Sequence, residues 1–116
     1  MIKIISHGFK FCRPEANFVF DVSYLKNPWR EKELRNSNKK ELRKFMLSQQ
    51  SFHELTNSFT LMIETIHTHF PDENLIFAFC CSAGEYRSPL VAEEVADKLA
   101  KRGIKVKVEH SINSKI

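Results

Sequence analysis

Cys81 and Arg87 are the side chains with the strongest claim to chemistry, and they lie six residues apart in Cys81-Ser82-Ala83-Gly84-Glu85-Tyr86-Arg87-Ser88. A thiol is nucleophilic only as its thiolate. Backbone N–H groups, a guanidinium or a helix N-terminus stabilise that thiolate, and the same groups hold a phosphate. Arg87 offers a planar, charged, two-pronged donor for such an anion. Attack on a phosphate ester also needs an acid for the leaving oxygen. The candidates are Asp21, inside an apolar run, and Asp72, ahead of the next one at the opposite end from the loop. Neither is placed to serve. The spacing therefore speaks first for anion binding, with Cys81 lining the site rather than reacting.

Two elements must hold this loop. Leu75 to Cys80 is an apolar run of strand length that stops at small, polar Cys81-Ser82-Ala83-Gly84. A helix is expected to open at Ser88 as N-cap, with Pro89 at its first position and Glu93 and Glu94 toward the positive end of its dipole. Loop N–H groups and those of the first helical turn then converge on one point.

The remaining chain predicts an α/β domain. Ile2 to Ser6 reads as a first strand with a turn at His7-Gly8, and Pro14 starts a short helical turn within the connection Phe9 to Asn17. Phe18 to Val22 reads as a second strand, buried on both faces, with Asp21 in it. Ser23 to Asn36 is the longest irregular stretch, with a turn at Asn27-Pro28, then Trp29 and Arg30, and a short helical piece over Glu31 to Arg35. Asn38 with Glu41 marks a helix start ahead of Leu42, Phe45 and Met46; Ser51 with Glu54 marks another. Phe52, Leu55, Phe59, Met62, Ile63, Ile66 and Phe70 follow at helical spacing as a core stripe, ending before Pro71. The helix from Pro89 carries Leu90, Val91, Val95 and Leu99 on one side and stops at Gly103. Ile104 to His110 alternates as a fourth strand, and the last residues read as a frayed tail.

Strands interleaved with helices imply a small, mostly parallel four-stranded sheet flanked by helices, one domain over residues 1–116. Ligands in such sheets sit beyond the carboxyl ends of the strands. Gly8, Asp21, the Cys81 to Ser88 loop and His110 all fall there, so they are expected to share a pocket. Asp21 is equally readable as a buried acid tied to backbone N–H groups, and His110 as the end of a strand. Cys80 and Cys12 read as packing, and His53, His67 and His69 as solvated.

Composition bounds the partners. No apolar run reaches membrane-spanning length and no signal-peptide core is present, so the expected address is the cytoplasm, with no membrane partner. Three cysteines, two adjacent, make no disulfide framework. No metal-ligand spacing or cofactor motif stands out. A net charge of +4 permits an acidic partner such as RNA, held by Lys101, Arg102, Lys105, Lys107 and Lys115, although the charges read as spread along the chain.

Two resemblances attach to these residues. Cys-x5-Arg-Ser after a buried strand is similar to the phosphate loop of the protein tyrosine phosphatases, which implies Cys81 as nucleophile and Arg87 as phosphate ligand. The broader resemblance covers nearly the whole chain. Gly8-Phe9-Lys10, Phe18-Val-Phe-Asp-Val-Ser-Tyr-Leu-Lys-Asn-Pro28, Glu33-Leu34-Arg35 and Cys81-Ser-Ala-Gly-Glu-Tyr-Arg-Ser88 with Ala92-Glu93 and His110 resemble, in order and spacing, the C-terminal domain of the RapZ/YvcJ family. That resemblance implies a domain, read here as standing alone, that binds a phosphosugar, glucosamine 6-phosphate in the best-known member, and that there also binds small RNAs and presents one to an RNase. By position, Cys81 to Ser88 would carry the phosphate while Asp21 and Asn27 line the pocket, and self-association is plausible from the family alone. The family's nucleotide-binding loop, Gly-x4-Gly-Lys-Ser/Thr, is not in these residues, so ATP or GTP hydrolysis is not carried over. The chain departs from the pattern with Ala83 for a glycine, Tyr86 for a histidine, Ser23 for an arginine and Trp29 for a histidine. The reading is a sensor or adaptor rather than an enzyme.

Overall fold

A computed structural model describes residues 1–116. Four strands, β1 (Ile2–Gly8), β2 (Phe18–Asp21), β3 (Leu75–Cys81) and β4 (Lys107–His110), form one sheet in the order β2-β3-β1-β4, every pair parallel. Three helices accompany it: α1 (Lys39–Leu47), α2 (Gln50–His69) and α3 (Arg87–Lys101). Two single 3-10 turns, Pro28–Arg30 and Lys32–Leu34, occupy the expected irregular stretch.

The order dictates where a ligand belongs. From β1 the chain moves along the sheet to β2, past β3; from β2 to β3 and from β3 to β4 it moves the opposite way. Right-handed crossovers then put the β1–β2 connection on one face and the helices on the other. The strand order reverses between β1 and β3, and in such sheets ligands sit beyond the carboxyl ends of the strands near that point. The two residues facing each other at that point are Gly8 and Cys81.

Side-chain alternation builds the core on the helical face. Ile2 and Ile4 of β1 join Phe77, Phe79 and Cys81 of β3, Leu42 and Met46 of α1, Phe52, Phe59 and Ile63 of α2, and Leu90, Val91, Val95 and Leu99 of α3. Phe18 and Phe20 extend this face by stacking on Phe77 and Phe79, with Phe59 tilted against both Phe20 and Phe79. Polar links tie the helices together across the layer. Arg43 reaches Glu94 and Asp97 at 2.7 Å each, Arg102 reaches Glu64 at 2.7 Å, and Lys98 donates to Thr56 Oγ1 at 2.8 Å and Asn57 Oδ1 at 2.6 Å.

Several boundaries differ from expectation, each for a physical reason. His7-Gly8 is strand rather than turn because Gly8 still pairs with Cys81; the turn follows, closed by Phe11 N–H to Gly8 O at 3.2 Å. Residues 12–16 take no helical turn at Pro14. β2 is an edge strand, so Phe18, Val19 and Phe20 keep partial exposure and Asp21 is exposed. Ser51 caps nothing: the α1–α2 link is two residues long, Gln49 takes the N-cap position without a side-chain bond, and Ser51 already lies inside α2. Phe70 leaves the stripe as the C-cap residue, 60% exposed. Ser88 is not the cap of α3 either, since the helix opens two residues earlier than expected, with Tyr86 at the N-cap position and Arg87 first. β4 starts only at Lys107, because Gly103 at φ 80° turns the chain back and the N–H of Ile104 bonds Leu99 O. The tail is docked: Ser111 N–H bonds Ser6 O at 3.1 Å, Lys115 N–H bonds Glu85 O at 2.9 Å, and Ile116 packs on the core. Cys12 is exposed, its Sγ 3.4 Å from His7 Nε2, instead of packed.

Candidate functional site

The loop between β3 and α3 lies over the end of β1 so closely that both contacts demand glycine. A Cβ on Gly8 would stand 2.5 Å from the Ala83 carbonyl carbon, and one on Gly84, whose φ is +72°, would stand 2.8 Å from the Gly8 nitrogen. Phe9 N–H donates to Cys81 O at 3.0 Å and Lys10 N–H to Ser82 O at 2.9 Å, extending the β1–β3 ladder up the loop's flank. Underneath, the buried Ser88 hydroxyl donates to His7 O at 3.2 Å. Strand ends and helix start are thereby pinned to each other.

This bracing leaves the loop's own donors free. The backbone N–H groups of the six residues Ser82 to Arg87 donate to no acceptor in the protein; the next, Ser88, donates to Cys81 Sγ at 3.4 Å. A run of unpaired N–H groups ahead of a helix, on a loop containing one left-handed glycine, makes an anion-binding concavity. The Cys81 thiol in turn donates to Ser88 Oγ at 3.3 Å and is 2% exposed.

A cavity of about 40 Å³ opens here, lined by Cys81, Ala83, Glu85, Tyr86 and Arg87 from the loop and by Asn27 and Trp29 from the stretch after β2. Arg87 lines it as a cation with no carboxylate partner: its Nη1 donates to the carbonyls of Ser23 and Leu25. Its other N–H donors stay available. The arginine thus joins the loop to the wall that carries Asn27, whose Oδ1 accepts from Trp29 N–H at 3.1 Å. Glu85 sits at the rim, 3.7 Å from Lys115 Nζ.

The structure brings Asn27 and most of the loop together but places the other expected residues elsewhere. Asp21 is exposed, its Oδ1 accepting from Ser23 N–H at 2.8 Å, so it shapes the turn after β2. Ser82 is exposed, and it, Gly84 and Gly8 do not line the cavity, the two glycines packing against each other's backbone instead. His110 lines a separate groove of about 160 Å³ with Ser6, His7 and Ser111. There its Nδ1 is 2.7 Å from Ser6 Oγ and its Nε2 3.4 Å from Glu93. Burial acts to raise the Glu93 pKa, but the Lys39 ammonium and the bond to His110 outweigh it and hold the carboxyl below its usual range. Trp29 is the residue that sequence reasoning passed over as a site member. On the far face of the sheet, burial first, then the neighbouring Cys81 and Asp21 charges, push the Cys80 thiol up to about 12, against the pull of Arg13. No three His, Cys, Asp or Glu side chains gather as metal ligands would.

Comparison with known proteins follows the same outline. The RapZ C-terminal domain matches residues 1–113. This chain belongs to the RapZ C-terminal domain family. Relatives named nucleotide-binding protein include one from Clostridium botulinum (strain Eklund 17B / Type B), 30% identical over 115 residues that make up 94% of this chain and 39% of the relative. Another, from Lachnoclostridium phytofermentans, is 32% identical over 94% of this chain and 40% of its own length. A third, from Acidobacterium capsulatum, is 32% identical over 95% and 38%. The chain thus spans about two fifths of the length of the curated relatives it matches, and the RapZ C-terminal likeness takes in both the loop and the wall that faces it. No helix is long and apolar enough to cross a membrane.

Proposed function

We propose that the domain binds a phosphorylated small molecule, a sugar phosphate in the first instance, through the Cys81 to Ser88 loop, and works as a sensor or adaptor. The observation that carries this reading is the run of unpaired N–H groups from Ser82 to Arg87 at the point where the strand order reverses. Arg87, charged and without a carboxylate partner, adds a charge-assisted donor on the same side. A neutral or cationic ligand would leave these donors unmet. The test is calorimetric titration with inorganic phosphate and a set of hexose phosphates. Saturable heat is expected, and Arg87→Ala, checked as folded by circular dichroism, is expected to abolish it; a titration without heat for every phosphate would reject the reading.

A cysteine-dependent phosphatase is the second reading, favoured by the Ser88 N–H that donates to Cys81 Sγ at the start of α3, as a thiolate nucleophile requires. Its weak point is the acid. Asp21 is occupied at the turn after β2, and Asp72 precedes β3 at the amino end of the sheet. Turnover of an aryl phosphate that disappears in Cys81→Ser would move this reading to the front.

A further inference from the structure

We infer that Trp29 is a side-chain gate over the Cys81 to Ser88 loop, displaced when an anion enters. This rests on the phosphate-binding reading above. The cavity holds only about 40 Å³, whereas sites for drug-sized ligands run to roughly 300–1,000 Å³. Something that lines it has to move before a sugar phosphate fits.

The backbone on that wall is not what moves. Leu25 and Pro28 are buried, and Arg87 pins the carbonyls of Ser23 and Leu25. The indole of Trp29 is the exposed part: it is 46% exposed and lies nearly parallel to the Tyr86 ring, 11° between planes and 6.4 Å between centroids. Tyr86 itself is buried at 9% exposure and precedes the first residue of α3, so it serves as the fixed jamb. The Arg35 guanidinium sits 4.6 Å from the indole centroid and its Nε donates to Trp29 O at 2.9 Å. That contact braces Trp29 where it stands without burying it. Rotation about the Trp29 side chain uncovers Cys81, Ala83 and the remaining Arg87 donors while the wall's backbone stays in place.

Cys81 reports the gate directly, because its thiol lines the cavity at 2% exposure while Cys12 is exposed and serves as the internal reference. Carbamidomethylation by iodoacetamide is followed by peptide fragmentation, which separates Cys81 from Cys80. Trp29→Ala is expected to speed Cys81 labelling by roughly tenfold or more, as befits an open state populated at about 10% or less. Trp29→Phe keeps an aromatic ring against Tyr86 and is expected to stay near the wild-type rate. In the wild type, inorganic phosphate is expected to slow Cys81 labelling and to shift the emission of Trp29, the sole tryptophan. Equal Cys81 rates in Trp29→Ala and wild type, with both folded by circular dichroism, would overturn the gate whatever phosphate does. Faster labelling in Trp29→Ala with no phosphate protection and no emission shift would overturn the phosphate reading and the ligand-driven displacement with it.

Discussion

Two glycines carry most of the site's shape. Gly84→Ala is expected to destabilise the domain by about 1–2 kcal/mol from its left-handed backbone alone, with more from the contact of its Cβ against the Gly8 nitrogen. Urea unfolding measures this. Gly8→Ala is the sharper functional probe: its Cβ would push the Ala83 carbonyl off the end of β1 and open the concavity, so phosphate heat should vanish in a chain that still folds. Glu93 makes a pH prediction. Its folded-state pKa lies below the unfolded one, so its pairing contributes stability above the unfolded carboxyl pKa, roughly pH 4.3, and loses it as pH falls through the lower folded value. Glu93→Gln should remove that part of the acid dependence in melts taken between neutral and acid pH. The places of Cys81 and Arg87, at the end of β3 and the start of α3, are legible from the sequence pattern. That of Trp29 is not, because an aromatic in an irregular stretch has no periodicity to say which loop it will meet. Asp21 was misplaced for a related reason: an apolar run looks the same in a central strand and in an edge strand.

Local signals at the element scale hold where the neighbouring chain leaves room for them. Asn38 does cap α1, its Oδ1 accepting from Glu41 N–H at 2.9 Å. Asn38→Ala is therefore expected to cost about 1 kcal/mol, read from denaturant midpoints. The same motif at Ser51 is overridden by the two-residue link between α1 and α2, and Ser51→Ala is expected to stay within about 0.5 kcal/mol of wild type. One measurement on both variants separates a cap from its likeness. β4 was overdrawn at its start because Ile104 to Val106 alternates as a strand does, yet Ile104 is spent on closing α3. The α3 stripe of Leu90, Val91, Val95 and Leu99 needed no correction, since burial against one continuous layer enforces helical periodicity.

Charge looks different once the chain is folded. Between Lys26 and Lys44 eight Lys or Arg residues face three Glu, an excess larger than the net charge of +4 for the whole domain. This stretch forms the wall of the site and then α1, where Lys39, Lys40, Arg43 and Lys44 line an open groove of about 630 Å³. Lys39 and Arg43 are spent on acids of α3, which leaves Lys40 and Lys44 outside the ion pairs. Of the basic residues expected from sequence to hold RNA, Lys101 and Arg102 close α3 and Lys105 lies in the link to β4, while Lys115 lies apart from them. Lys107 begins β4 at the amino end of the sheet, whereas Lys115 reaches Glu85 at the other. An RNA contact should consequently weaken steeply with salt, and in filter binding at low salt Lys40→Ala with Lys44→Ala should reduce retention where Lys101→Ala leaves it unchanged. The parallel four-stranded sheet, by contrast, follows from alternating strands and helices read along the chain, and the cavity on which the functional reading depends opens between the loop after β3 and the stretch after β2. The most direct test of that reading is a two-dimensional amide spectrum of the intact domain titrated with inorganic phosphate. The account predicts saturable shifts concentrated on the N–H groups of Ser82 to Arg87 and on Trp29 and its indole; an unchanged spectrum, or shifts confined to α1, would contradict it.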